Sequence, residues 1–80
     1  MKNLTLLCVE DDVEIQEDIK YLFDSYFNTI YTALDGQEAL NIYNKYNPNI
    51  ILLDINIPKI DGLEVAKKIR ETDKNTPIIF

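Results

Sequence analysis

Ile50-Ile51-Leu52-Leu53-Asp54-Ile55-Asn56-Ile57-Pro58-Lys59-Ile60-Asp61-Gly62 is the stretch whose reading decides the fold. Four consecutive large apolar residues run into one acid. Pro58 then stops a regular continuation, because proline lacks a backbone donor and holds its predecessor extended. A run that is apolar at every position marks a strand covered on both faces, so Ile50 to Leu53 reads as a central parallel strand between helices. Asp54 then stands at the carboxyl end of that strand, the edge where open α/β sheets collect their ligands. The competing reading of Asp54 is a helix cap or turn former. Asp61 and Glu64 have capping-box spacing before the next helix and fill that role, which leaves Asp54 for chemistry.

The flanking segments extend the pattern. Leu4 to Val9 is nearly all apolar and ends in Glu10-Asp11-Asp12, a second buried strand running into acid. Ile15, Ile19, Leu22, Phe23 and Tyr26 follow at helical spacing and predict a first helix with these residues inward. Thr29 to Ala33, rich in β-branched and aromatic residues, reads as a more peripheral second strand. Asp35 and Glu38 have capping-box spacing ahead of a second helix, with Ala39, Leu40 and Tyr43 inward, which stops near Asn47-Pro48. Beyond the central stretch, Gly62 to about Glu71 predicts a third helix with Leu63, Ala66 and Ile69 inward. Thr76 to Phe80 begins a fourth buried strand. The order βαβαβαβ with short, right-handed connections specifies an α/β fold, an open parallel sheet with flanking helices. It occupies residues 1–80 as one domain, with no linker or second domain.

Composition narrows the function. Eight basic against fourteen acidic residues give a net charge of −6. With no basic run to track a phosphate backbone, direct nucleic-acid binding is not expected. The single cysteine, Cys8, lies in an apolar run and reads as a small core residue in a reducing compartment. The sequence shows neither a signal peptide nor an apolar stretch of membrane-spanning length, so a cytoplasmic chain without membrane contact is expected.

If strands one and three are neighbours, about 4.8 Å apart, Glu10, Asp11 and Asp12 converge with Asp54 at one sheet edge. Such acids repel. A hard divalent cation offsets the repulsion, and Mg2+, or Mn2+ in its place, suits one or two carboxylates combined with a carbonyl, waters and phosphate oxygens. Asp11 and Glu14 also have capping-box spacing, so the spacing leaves Asp11 open to either role.

Val9-Glu10-Asp11-Asp12, together with Leu52-Leu53-Asp54-Ile55-Asn56-Ile57-Pro58 and Asp61-Gly62, resembles the receiver domain of bacterial two-component response regulators. The likeness runs over the whole chain. It implies a flavodoxin-like receiver fold with strand order 2-1-3-4, and Asp54 as the phosphoacceptor nucleophile. It further implies Asp11 and Asp54 as Mg2+ ligands, Asn56 as a ligand through its main-chain carbonyl, and Glu10 as a ligand through water. Pro58 and Gly62 would shape the loop. The implied partner is a sensor histidine kinase or phosphotransfer protein carrying a phosphohistidine, because this chain has no histidine of its own. The module would promote its own phosphorylation without being a turnover enzyme.

A complete receiver, by the same resemblance, continues past strand four with a hydroxyl residue, another helix, a fifth strand ending in lysine and a last helix. Residues 1–80 therefore read as its N-terminal part, truncated before the last strand and helices, and Lys59 is not assigned the missing lysine's role. If Phe80 is the last residue, Ile78-Ile79-Phe80 lies on an open edge, and a homodimer or higher oligomer through that edge is expected. The alternative to a phosphoacceptor is a non-catalytic receiver fragment serving as a folding or oligomerisation module. Two further classes fall away. A haloacid-dehalogenase-type site resembles Asp-x-Asp, whereas Asp54 is followed by Ile55 and Asn56. An EF-hand loop counted from Asp54 needs glycine where Lys59 stands.

Overall fold

A computed structural model describes residues 4–80 of the chain. Four strands alternate with three helices: β1 (Thr5–Val9), α1 (Val13–Phe23), β2 (Thr29–Ala33), α2 (Gly36–Tyr46), β3 (Ile50–Leu53), α3 (Gly62–Arg70) and β4 (Ile78–Ile79). All pairings are parallel and the sheet order is β2-β1-β3-β4, the order expected of a receiver fold. The β1–β3 register sets Val9 opposite Leu53, so both strands reach the same edge of the sheet together. β4 is shorter than its apolar run predicts and covers only Ile78 and Ile79.

The two faces of the sheet are closed unequally. Side chains alternate along a strand. Leu7, Val9, Ile51 and Leu53 point to one face, where Ala39 and Tyr43 of α2 and Val65 and Ile69 of α3 complete the core. Ile51 and Leu7 are fully buried there. The opposite face carries Leu6, Cys8, Ile50 and Leu52, and α1 packs there with Phe23 and Phe27. Ile50 and Leu52 remain half-exposed, and Ile79 is 51% exposed. The central strand is thus covered fully on one side and partly on the other, where its uniform apolarity had predicted two closed faces.

The same asymmetry corrects the expected face of α1. Ile19 and Phe23 do turn toward the sheet, but Ile15, Leu22 and Tyr26 are 44%, 64% and 61% exposed. The buried residue of this helix is Gln16. Among the described residues no second helix packs beside α1, so apolar side chains off its sheet-facing line have nothing to pack against. In α3 the inward line is Gly62, Val65 and Ile69 with Ala66 half-buried, while Leu63 is 58% exposed rather than inward. Gly62 sets that phase, because a Cβ there would stand 2.3 Å from the Asp54 carbonyl oxygen and the helix can approach β3 only on a bare Cα.

Caps define the helix starts. Asp35 Oδ1 accepts from the Glu38 amide at 2.8 Å, and Asp61 Oδ1 from the Glu64 amide at 2.9 Å. Glu38 reaches back to the Leu34 amide at 2.6 Å, one residue earlier than a capping box requires. α2 ends with Asn47 in the left-handed conformation, φ 49°, a geometry asparagine tolerates. At the other end of the sheet, Asp73 ties the α3–β4 turn to α2 by accepting from the Tyr43 and Thr76 hydroxyls at 2.6 Å each. The Thr76 and Tyr43 bonds hold the Asp73 carboxyl well below the usual carboxylate range. Burial, followed by the Asp73 bond, pushes the Tyr43 hydroxyl up to about 12. No helix among the described residues is long and apolar enough to cross a membrane.

Candidate functional site

The carboxyl ends of β1 and β3 carry the acids. Val9 and Leu53 are the last strand residues, and the ladder continues one step further with the Asp54 amide donating to the Val9 carbonyl at 3.1 Å. On the other flank the Glu10 amide donates to the Ala33 carbonyl at 3.0 Å. Glu10 is therefore held between the ends of β2 and β3, and its carboxylate, that of Asp11 and that of Asp54 each bring an oxygen within 4.8 Å of the others. Glu10 and Asp54 are half-buried and Asp11 is exposed.

Asp12 stays outside this group. Its Oδ1 accepts from the Glu14 amide at 2.9 Å and the Ile15 amide at 3.3 Å, which makes it the N-cap of α1. The Asp11–Glu14 spacing suggested Asp11 for that role, but the helix starts one residue later, and Asp11 is left to face Glu10 and Asp54. Glu10 Oε2 accepts from the Asp12 amide at 3.1 Å, so the three-residue turn is internally braced.

Burial, opposed by the Asp12 amide and reinforced by the charges of Asp54 and Asp11, raises the Glu10 carboxyl above its usual value. Beneath it, burial and then the Glu10 charge push the thiol of Cys8, a buried core residue, up to about 11. Asp54 Oδ1 accepts from the Asn56 amide at 3.1 Å. Its other carboxylate oxygen accepts no hydrogen bond among the described residues. A depression lined in part by Glu10, Asp54, Cys8, Leu52 and Phe80 lies beside the acids.

The loop from Ile55 to Asp61 is fastened at both ends. The Gly62 amide donates to the Ile55 carbonyl at 2.9 Å, and the Gly36 amide to the Pro58 carbonyl at 3.3 Å. Gly36 is needed at that contact, since a Cβ there would collide with the Ile60 carbonyl oxygen at 1.9 Å. Lys59 takes a left-handed backbone, φ 68°, and its Nζ pairs with Asp35 Oδ2 at 3.4 Å. It is engaged with α2 and not with Asp54. This anchoring, invisible to spacing arguments, comes from the lysine and glycine being brought together by the fold. Gln16 was also missed. It is a lone polar side chain on the sheet-facing line of α1, and a polar residue at an inward helical phase is the signal that identifies it.

Three carboxylates, with Asp11 open to water, form an all-oxygen donor set of the kind hard divalent cations take.

A family model described as the response regulator receiver domain matches residues 6–80. The sensory transduction protein LytT of Oceanobacillus iheyensis is 43% identical over 79 aligned positions, which cover 94% of this chain and 32% of LytT. The chemotaxis response regulator CheY4 of Vibrio cholerae superposes with a TM-score of 0.88 at 31% identity, covering 95% of this chain and 65% of CheY4. The response regulator TrrA of Thermotoga maritima, solved in complex with Mg(2+)-BeF, gives a TM-score of 0.85 at 38% identity over 94% of this chain and 65% of TrrA. The chain thus spans about a third of LytT and just under two thirds of these structural neighbours.

Separating the two adjacent acids tests the assignment. Asp12→Ala is expected to lower stability by about 0.5–2 kcal/mol through loss of the cap while leaving cation affinity nearly intact. Asp11→Asn is expected to keep the thermal midpoint and to weaken Mg2+ binding sharply, followed by NMR titration. Equal Mg2+ affinity in the Asp11→Asn and unaltered chains would remove Asp11 from the site.

Proposed function

Because the chain belongs to the response regulator receiver domain family of two-component signalling, we propose that Asp54 is its phosphoacceptor, charged by a partner histidine kinase or phosphotransfer protein in the cytoplasm. The observation that carries this reading is the convergence of Glu10, Asp11 and Asp54 at the carboxyl ends of β1 and β3. TrrA, solved with Mg(2+)-BeF, is a relative whose structure holds a metal and a fluoride complex of beryllium, and its backbone superposes on this one.

Each residue's part follows from its placement. The Asn56 amide holds Asp54 Oδ1, which fixes the carboxylate plane and leaves the second oxygen as the nucleophile. That oxygen bonds to phosphorus as the phosphorus–nitrogen bond of the donor's phosphohistidine, protonated on its other ring nitrogen, breaks, leaving an acyl phosphate on Asp54 and a neutral imidazole on the donor. Asp11, Asp54, the Asn56 main-chain carbonyl and, through water, Glu10 would hold a Mg2+ ion. When bound, the ion supplies positive charge for the phosphoryl oxygens. Gly62 keeps the loop that carries Asn56 close to the strand end, and the Pro58 carbonyl ties it to α2. The chain acts here as a signalling module, with one phosphoryl group accepted per copy.

The β4 edge bears on partners. β4 pairs only with β3 among the described residues, and Ile79 and Phe80 are 51% and 58% exposed. In a chain ending at Phe80, a second copy would cover this edge by pairing of β4 strands. Light scattering of the 80-residue chain across concentration should then show a dimer or larger assembly, reduced to monomer by Ile79→Lys. A concentration-independent monomer would contradict it.

Phosphorylation itself is tested by intact mass. Incubated with Mg2+ and a small acyl phosphate, the chain should gain one phosphoryl group, and Asp54→Asn should gain none. A folded chain that never acquires the group would leave the non-catalytic module as its function, and an adduct that survives Asp54→Asn would place the acceptor elsewhere.

A further inference from the structure

We infer that Gln16 is a positioning residue of the acidic site, holding the Glu10 main chain so that its carboxylate meets those of Asp11 and Asp54; this rests on the metal-binding reading given above. Gln16 is the one buried polar side chain among the described residues, 5% exposed. Its Nε2 donates to two main-chain carbonyls, Glu10 at 3.0 Å and Ala33 at 3.0 Å. The amide thus spends both protons at the junction of the β1 and β2 ends, where the Glu10 amide also donates to Ala33.

The placement gives Gln16 more than a packing role. Glu10 lies just past the end of β1, outside the sheet's regular ladder, and its carbonyl accepts no other hydrogen bond among the described residues. Without Gln16 that carbonyl faces α1 unpaired, and a part-buried acceptor without a partner turns toward water if its peptide can rotate. Rotation of this peptide moves two of the three acids, because it joins Glu10 to Asp11. A leucine or methionine would fill the same space on the sheet-facing line between Asp12 and Ile19, so apolar packing alone does not call for glutamine here. Like charges drawn within 4.8 Å push their own backbone apart, and Gln16 is the brace on the Glu10 side of that repulsion.

The test is an NMR comparison of the 80-residue chain with Gln16→Met, which keeps length and apolar character and removes both donors. Without metal, the Asp11 and Asp54 amide resonances are expected to shift although neither residue bonds to Gln16. With Mg2+, affinity should fall roughly three- to tenfold, the equivalent of one modest hydrogen bond. A folded variant with unchanged Asp11 and Asp54 resonances and unchanged Mg2+ affinity, and only a lower thermal midpoint, would make Gln16 a core residue and overturn the inference while the metal site stands. Metal-free shifts at Asp11 and Asp54 with no response of either protein to Mg2+ would uphold the positioning role and overturn the metal reading instead. If Gln16→Met does not fold, the unaltered chain decides: the Gln16 side-chain amide resonances should move along the same Mg2+ titration curve as Asp11, and resonances that stay fixed while Asp11 moves would overturn the inference.

Discussion

The structure depends on the parallel register that sets Val9 opposite Leu53 and extends it by the bond from the Asp54 amide to the Val9 carbonyl. Three carboxylates would not gather unaided. Two unit charges about 4 Å apart repel by about 1 kcal/mol in water and about 4 kcal/mol at the effective dielectric near a protein surface. What holds them is burial of the strands behind them, since Leu7, Val9, Ile51 and Leu53 are all 0–1% exposed and cannot slip by one residue without turning the core outward. The site is thus built on energy stored in the hydrophobic sheet. Its excess of negative charge is of the kind a divalent cation relieves.

Around that register the fold divides its labour. The face under α2 and α3 supplies the closed core, and the same two helices anchor the loop beyond Asp54, through Gly36 against Ile60 and Gly62 against Asp54. Both glycines sit where the backbones touch, so the loop's position is fixed by contacts that no side chain could share. The α1 face supplies the other half of the site, the turn of Glu10 to Asp12, capped by Asp12 and braced by Gln16. It does so from a helix that covers its side of the sheet incompletely. Membership of the receiver family and the likeness to CheY4 and TrrA extend over nearly the whole described chain, helices included.

Much of this was legible in the residues. Four unbroken apolar positions ending in Asp54, and a second such run ending in Glu10-Asp11-Asp12, give strands, edge and acids directly, because a buried strand tolerates a charge only at its end. Short connections gave a parallel sheet, and the order of its strands came with the family resemblance. What could not be read was helical phase in a half-covered helix: Ile15, Leu22 and Tyr26 obey the spacing rule as well as Ile19 and Phe23 do, and only three-dimensional contact shows which line meets the sheet. Leu63 and Val65 pose the same ambiguity in α3, resolved by the backbone contact at Gly62. The cap of α1 fell one residue beyond the spacing signal, because Asp12 needs no glutamate three residues on to bond the Glu14 and Ile15 amides. The Lys59–Asp35 pair joins residues far apart in sequence and has no local signature.

The central claim is that the register makes one cation site out of acids from two strands. Mn2+ added in substoichiometric amounts to the 15N-labelled chain tests it most directly, because a paramagnetic ion broadens the resonances nearest to it. Amide signals of Glu10, Asp11, Asp54 and Asn56 are expected to vanish first, while those of Asp35, Asp61 and Asp73 stay sharp. Broadening that begins instead on the exposed acids of α1, Glu14, Glu17 and Asp18, or that spreads evenly over the acidic surface, would contradict it.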